Sequence, residues 1–352
     1  MKILILGGTG AMGIHLVELL GKENNEIFVT TRSKKQSRGN VHYLQGNARD
    51  IDFLETHLQQ EWDAIVDFMV YTTAEFKSRV NLLLSATGQY IYLSSARVYA
   101  NSESPIIEAS DRLLDVSKDE KYLRSDEYAL TKARQENILE SSGQSNWTII
   151  RPYITYSENR LQLGVLEKES WLYRAVKGRT IVFSKDINDR VSTLTYGLDV
   201  SKGIVSIIGE ARALGEVFHI TSSQDIRWSD VLGIYLNVLE NNLGFRPKVL
   251  LNELGEFKKI HSSNYQIIYD RLYNRQFNNT KINRFIDITT FKPVEEGLRN
   301  CLTDFLSYGK FDTINWKLEA IKDKHTKEHT PLREIAGYKQ KISYLIHRYI
   351  KN

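Results

Sequence analysis

Tyr128 and Lys132, in the stretch EYALTKARQE, stand four positions apart in a pattern that reads as helix. That spacing stacks a phenol and an ammonium on one helical face, one turn apart. Two readings are open for such a pair. It is either a solvated surface contact, or a phenol whose acidity a neighbouring cation shifts toward the neutral range for proton transfer. A second chemical signature opens the chain. In GGTGAMG, Gly7, Gly10 and Gly13 are spaced by three, directly after an apolar run and directly before an apolar helical pattern. Glycines there allow a tight turn and let backbone N–H groups approach a pyrophosphate at the positive end of a helix. Between a strand and a helix, the triplet predicts dinucleotide binding.

The next strand-like run ends in TTRSKK. An acidic residue is expected about twenty positions beyond the glycines if a free ribose 2′-OH is held. Arg32 stands there instead, followed by Ser33 and Lys34. A guanidinium beside a hydroxyl suits a 2′-phosphate, which favours NADP(H) over NAD(H). The plainer alternative for Arg32 is a solvated loop cation. His325 and His329 in HTKEH would lie one turn apart on a helix, a metal-like spacing. No third ligand is evident and the segment is very polar, so a solvated face is expected. His219, inside EVFHITS, reads as a core-strand histidine.

These residues need a frame, and the hydrophobic pattern supplies one. KILILG (2–7), EIFVTT (26–31), VHYLQG (41–46), DAIVDFMVY (63–71), QYIYLSS (89–95) and WTIIRP (147–152) are mostly continuous apolar runs, with EVFHITS (216–222) following a long insertion. Such runs mark strands buried on both faces of a parallel sheet. Helical patterns such as 13–23 and 75–86 fill the gaps, so the expected fold class is α/β, a doubly wound parallel sheet with a smaller C-terminal lobe. The boundaries expected are 1–152 with about 194–222 for the dinucleotide-binding unit, and 153–193 with 223–310 for the substrate lobe. The tail 311–352 is basic and aromatic. It ends in a segment that could be an amphipathic helix, docked on its own lobe or on a partner subunit; a membrane-surface helix would usually carry a stronger apolar face.

The bulk numbers exclude several classes. A formal charge of +4 over 352 residues does not suggest a nucleic-acid binder. Cys301 is the only cysteine, which rules out an internal disulfide and fits a reducing, cytoplasmic setting. The apolar start is interrupted by glycines too soon for a signal peptide or a membrane span.

Read together, the motifs resemble the extended short-chain dehydrogenases/reductases, chiefly nucleotide-sugar epimerases, dehydratases and ketoreductases. The likeness runs from Met1 to about Leu306. GGTGAMG is similar to the family's glycine loop, GNARD (46–50) to its GDxRD element with Asn47 in place of the acid, and YLSSARVYA (92–100) to SSxxVYG. YALTK (128–132) is YxxxK, RPYITY (151–156) resembles RPxxVYG, and DRVSTLTYGLDVSKG (189–203) resembles RDFxHVxDxAxG. The stretch from NNTKINR to FKPVEEGL (278–298) resembles the family's closing motif.

The resemblance implies a catalytic set of Ser95, Tyr128 and Lys132. Tyr128 would exchange a proton with the sugar oxygen, Ser95 would orient the carbonyl, and Lys132 would tune the phenol and hold the nicotinamide ribose. It also places Gly7, Thr9, Gly10, Met12, Gly13, Arg32, Asn47, Ala48, Tyr128, Lys132 and Tyr153 around the dinucleotide. Arg97, Arg160, Arg190 and Arg271 would contact the nucleotide-sugar substrate, with Asp270 orienting Arg271. No metal is implied. Dehydratases usually place an Asp-Glu pair where this chain has Ala96-Arg97, which argues against a 4,6-dehydratase. Two reactions stay open: reduction of a nucleotide-linked 4-keto sugar by NADPH, and 4-epimerisation with tightly bound NAD. A third reading, RNA binding as in chloroplast stem-loop-binding members, is disfavoured by the intact Ser95–Tyr128–Lys132 set. Family members commonly form homodimers through a four-helix bundle that would include the Tyr128 helix.

Overall fold

The computed structural model describes residues 1–261 and 264–350. The chain divides into two units. The first comprises 1–157, 193–225 and 275–294, and the second 158–192, 226–274 and 295 onward.

The first unit is built on a seven-stranded, wholly parallel sheet. Its strands are β1 (Lys2–Leu6), β2 (Glu26–Thr31), β3 (Val41–Gln45), β4 (Trp62–Asp67), β5 (Thr87–Leu93), β6 (Trp147–Pro152) and β7 (Glu216–Ile220). Their spatial order is β7-β6-β5-β4-β1-β2-β3. The inner strands form for the same reason, their side chains alternating between two dry faces, whereas edge strand β3 is only partly buried. On one face Ile3, Ile5, Val29, Val66 and Ile150 meet Leu16 and Leu20 of helix α1 (Gly13–Gly21). On the other, Leu4, Leu6, Ile65 and Tyr90 meet Phe76 and Leu83 of helix α2 (Thr73–Ser85) and Leu139 of helix α3 (Tyr128–Glu140). The strand order reverses between β1 and β4, which leaves a crevice beyond their carboxyl ends, the general ligand position of open α/β sheets. Helix α4 (Gly197–Val205) packs on α1.

β4 and β5 end earlier than their apolar runs. β4 stops at Asp67 because that carboxylate accepts the Met69 N–H at 2.8 Å and turns the chain. β5 stops at Leu93, and Ser95 then caps a short 3-10 turn over Ala96–Val98.

Segment 275–294 falls in the sheet unit, within the 223–310 expected for the substrate lobe. It belongs to the sheet unit because the Arg275 guanidinium donates to the Tyr99 and Ala100 carbonyls at 2.8 and 2.7 Å. Asn279 adds hydrogen bonds with Thr221 and Ser222.

The second unit pairs short parallel strands, Ile181–Ser184 and Val249–Asn252. It includes the C-terminal helices α5 (Trp316–Thr326) and α6 (Tyr338–Leu345), the latter continued by a wider helical turn, Ile346–Ile350. The tail is therefore part of this unit. Fully buried Arg174 holds it, donating to Glu319, Asp323 and Glu328 at 2.9, 2.7 and 2.8 Å. His325 and His329 are not one helical turn apart, since α5 ends at Thr326 and Lys327 adopts a left-handed φ of 59°. His325 instead meets the Asn252 side chain at 3.1 Å. Among the described residues no helix is long and apolar enough to cross a membrane, and no cluster of His, Cys, Asp and Glu is arranged for a metal.

Candidate active site

The glycine loop joins β1 to α1 and works at three distinct positions. Gly7 has φ +73°, a left-handed turn that side chains resist, and its N–H donates to the Thr30 hydroxyl at 3.0 Å. Gly13 lies so close to the loop that an added Cβ would stand 2.6 Å from the Gly8 backbone. Gly10 is different, because a Cβ there would meet nothing within 4 Å. The protein's own packing does not require a glycine at that position, whereas close approach of a ligand would. Helix α1 begins here with no side-chain cap on its first turn, the condition in which a helix end attracts an anion.

This loop forms one wall of a cavity of about 670 Å³, in the range of small-molecule sites. Gly7, Thr9, Gly10, Arg32, Asn47 and Ala48 line it, with Arg49 and Phe68 to Val70 opposite. None of the lining residues is acidic, and Arg32 is exposed with no ion-pair partner among the described residues. Asn47 accepts the Arg49 N–H at 3.2 Å through its side chain and the Asp50 N–H at 2.8 Å through its carbonyl, so it shapes the turn as well as lining the cavity. Met12 sits at the start of α1, where its sulfur accepts from the Thr155 hydroxyl at 3.7 Å and its carbonyl from Ser201 at 2.8 Å. Tyr153 is buried after β6, its ring 5.3 Å from that of Phe277. The next residue, Ile154, carries φ 29°, a conformation that costs a β-branched residue about 1–3 kcal/mol and recurs at functional sites.

Tyr128 opens α3 and is half-buried, and Lys132 follows one turn later. The structure brings the pair together, with the Lys132 ammonium 6.0 Å from the Tyr128 ring centroid. Lys132 is buried, and its ammonium donates to the Leu93 carbonyl at 2.6 Å. That bond ties α3 to the end of β5, two residues before Ser95. Burial pushes the Lys132 ammonium down to about 8, against the pull of the Asp67 and Glu136 carboxylates. Buried Ser95 accepts the Arg97 N–H at 3.2 Å.

Arg97, expected at the substrate, lies beside Tyr128. Its guanidinium bonds the Glu127 carboxylate, which caps α3, and lies 5.2 Å over the Tyr128 ring. The phenol thus has a cation over its ring from the β5 side as well as the ammonium from its own helix.

Sequence reasoning did not single out Glu136 or Asp67. Glu136 lies one turn beyond Lys132 on α3 and is fully buried. It accepts Arg151 through Nε and Nη2 at 2.8 and 2.7 Å, Arg112 at 3.1 Å and the Ser94 hydroxyl at 2.5 Å. This cluster locks the register of α3 against the ends of β5 and β6, and the carboxylate holds the Arg151 guanidinium charged despite burial. The Tyr128–Lys132–Glu136 interval of four was the available signal, but its meaning depended on partners in other elements. Asp67, at the end of β4, is wholly buried and accepts from Tyr90 at 2.8 Å; burial raises its carboxyl. His219 is a core histidine, with Nε2 at 2.8 Å from the Asn278 carbonyl and its basicity lowered by burial.

The three remaining arginines belong to the second unit. Arg160 is exposed and pairs with Glu167 at 3.6 Å. Arg190 is exposed, and its carbonyl accepts the Trp228 N–H at 3.1 Å. Arg271 is buried, donating to Gly164 O at 3.0 Å and to its neighbour Asp270.

Comparison with known proteins agrees with this architecture. The model of the NAD dependent epimerase/dehydratase family matches residues 3–220. Over 238 residues the chain is 27% identical to the chloroplast stem-loop binding protein of 41 kDa b from Arabidopsis thaliana; the match covers 63% of this chain and 59% of that relative's length. Among solved structures, the Bordetella bronchiseptica enzyme WbmH, in complex with NAD+, superposes with a TM-score of 0.68 at 16% identity, covering 88% of this chain and 99% of that one. The UDP-glucuronic acid 4-epimerase of Bacillus cereus, bound to UDP-glucuronic acid and NAD, gives 0.65 at 15% identity over 87% and 99%. The dTDP-glucose 4,6-dehydratase of Bacillus anthracis, in complex with NAD, gives 0.63 at 17% over 87% and 97%. At these identities the structural likeness concerns the fold.

Proposed function

The chain belongs to the NAD-dependent epimerase/dehydratase family, and from that premise we propose that it carries out nicotinamide-dependent redox chemistry on a nucleotide-activated sugar. The specific reaction proposed is reduction of a 4-keto sugar with NADP(H). The observation that carries this reading is a single arrangement in the sheet unit. A cavity containing arginines and no acid opens at the glycine loop, while Ser95, Tyr128 and Lys132 gather at the end of β5 and the start of α3.

The cavity's features fit a dinucleotide: room beside Gly10, an uncapped helix start, and an unpaired Arg32 suited to a 2′-phosphate. When bound, the nicotinamide supplies the hydride, which no side chain can provide. Tyr128 gives its proton to the ketone oxygen as that oxygen becomes a hydroxyl. Ser95 orients the carbonyl by hydrogen bonding. Lys132 and Arg97 place positive charge 6.0 and 5.2 Å from the Tyr128 ring and favour the phenolate left behind. Arg160, Arg190 and Arg271 are the proposed contacts of the nucleotide diphosphate.

A homodimer through α2 and α3 belongs to the same proposal. The surface depression between these helices is lined by Val80 and Ile138 as well as Lys77, Asn81, Arg134 and Asn137, so such an interface would combine apolar and polar contacts.

Mass spectrometry of the dinucleotide and sugar nucleotide that co-purify with the protein tests the reading. Substoichiometric NADP(H) and oxidation of added NADPH by a nucleotide-linked 4-keto sugar are expected. Stoichiometric bound NAD, with interconversion of two UDP-hexoses without added cofactor, would replace the reductase by an epimerase. RNA binding that survives Tyr128→Phe, with no turnover of any nucleotide sugar, would overturn the redox reading.

A further inference from the structure

The last helix of the second unit has two faces of opposite character. Its inner face is anchored. The Tyr344 hydroxyl is buried, donating to Asp323 and accepting the Thr330 N–H, both at 2.7 Å, and Arg348 donates twice to the Glu328 carbonyl at 3.1 and 3.0 Å. Its outer face is an apolar stripe. Tyr338, Ile342, Leu345 and Tyr349 recur at intervals of four, three and four, the spacing of one helical face. They are 78%, 40%, 37% and 64% exposed, and Ile350 beyond them is 74% exposed. A helix held by one side normally turns its polar residues outward, so an apolar stripe left this exposed, most of all at Tyr338, Tyr349 and Ile350, is not fully used by the unit's own packing.

The charges beside the stripe are of one sign. From Ile335 to Asn352 the sequence has no Asp or Glu, and along the described part of the helix the cations are Lys339, Lys341 and Arg348, the last already bonded to the Glu328 carbonyl. Lys339 and Lys341 have no ion-pair partner among the described residues. We infer that this helix docks the protein on an anionic lipid surface, with Tyr338, Ile342, Leu345 and Tyr349 entering the headgroup boundary and the lysines meeting lipid phosphates. The composition selects this occupant. Tyrosines favour the water–hydrocarbon boundary, with an apolar ring and a polar tip. A second copy is a poor fit, because a two-fold contact would set the same cations against each other. A nucleic acid would use the lysines but leave Ile342 and Leu345 without a partner. Among the described residues no helix can cross a bilayer, so the attachment is peripheral and reversible.

Vesicle co-sedimentation of the full chain tests the inference independently of any enzymatic activity. The probes are vesicles of phosphatidylcholine alone and of phosphatidylcholine mixed with phosphatidylglycerol, at low and physiological salt. Binding to the anionic vesicles roughly tenfold above the neutral ones, weakened by salt, is expected. Y338S/Y349S and K339E/K341E should each abolish it while thermal melting stays unchanged, since Tyr338 and Tyr349 are 78% and 64% exposed; I342D/L345D should abolish it as well, with a lower melting temperature because those two side chains are partly covered. Equal binding to both vesicle types, no binding at low salt, or full binding by I342D/L345D would overturn the inference. So would a concentration-dependent dimer, or an RNA complex, that these variants abolish without any vesicle binding by the parent chain.

Discussion

Two buried cations, Lys132 in the sheet unit and Arg174 in the second unit, are housed in opposite ways. Arg174 is caged. It donates to Glu319, Asp323, Glu328, Thr326 and the Thr180 carbonyl, and although burial alone would weaken its charge, Glu319 and Asp323 more than offset that. Lys132 has one hydrogen-bond acceptor, the Leu93 carbonyl, lies 4.5 Å over the Tyr92 ring, and has no carboxylate within ion-pair distance among the described residues. Its charge is sustained only at longer range by Asp67 and Glu136, and burial brings it down to about 8. A cation with every donor used fastens segments together. One left incompletely compensated stays titratable near neutral pH, the condition expected of a group that takes part in chemistry.

The comparison can be broken first at the sheet unit. Tyr128→Phe removes the proton donor, and kcat should fall by about 10²–10⁴-fold. The melting temperature should barely change because the ring is half-buried. Lys132→Met should cost comparably in rate, read in the same assay; a variant with most of its activity would show that the buried ammonium is structural after all.

Arg174→Met tests the other side. It removes a buried charge from Glu319 and Asp323 and leaves them to Lys322, Thr330 and Tyr344, so denaturant unfolding should show a loss of about 3 kcal/mol, the lower end of the range for breaking a buried pair. Rate per folded molecule should be unchanged, since Arg174 has no proposed contact with substrate or cofactor. A loss below about 1 kcal/mol would mean that the cage holds little.

Alkali sharpens the contrast. Lys132 keeps its proton below about pH 8 when folded and below about 10.5 when unfolded, so between these values the unfolded chain binds the extra proton. The stability penalty of burying this ammonium is full below pH 8 and is relieved as pH rises through that window. Function runs the other way, and kcat/KM should decline as the ammonium is lost above about pH 8. Lys132→Met should remove the stability trend, measured as unfolding free energy against pH, and Arg174→Met should leave it in place.

Arg32→Ala should raise the KM for NADPH roughly tenfold, the worth of one charge-assisted hydrogen bond, and leave that for NADH unchanged. Equal effects on both would remove the proposed 2′-phosphate contact. The smallest effect belongs to Arg160→Ala. Its exposed pair with Glu167 should contribute under about 1 kcal/mol to stability, so any clear rise in sugar-nucleotide KM would report substrate contact directly.

Much of the sheet unit was legible because its signals are local. β1 is apolar on both faces, the glycines follow at once, and Tyr128 and Lys132 share a helix turn whatever surrounds them. What escaped was non-local. Glu136 acquires its role from Arg151, 15 positions on in another element, and Arg97 from Glu127, 30 positions away. The return of 275–294 to the sheet unit depends on Arg275 reaching the Tyr99 and Ala100 carbonyls, which no periodicity encodes. The tail was expected to dock on its own lobe or a partner subunit, but its anchor could not be read locally, since Glu319 and Asp323 close around an arginine some 145 residues earlier.

The most direct test of the central claim is nicotinamide absorbance, followed on mixing the purified protein with NADPH and a panel of UDP- and dTDP-linked 4-keto sugars. The account predicts NADPH oxidation matched one to one by reduced sugar nucleotide, and its near-complete loss in Tyr128→Phe. No oxidation with any member of the panel, or oxidation that Tyr128→Phe leaves intact, would contradict it.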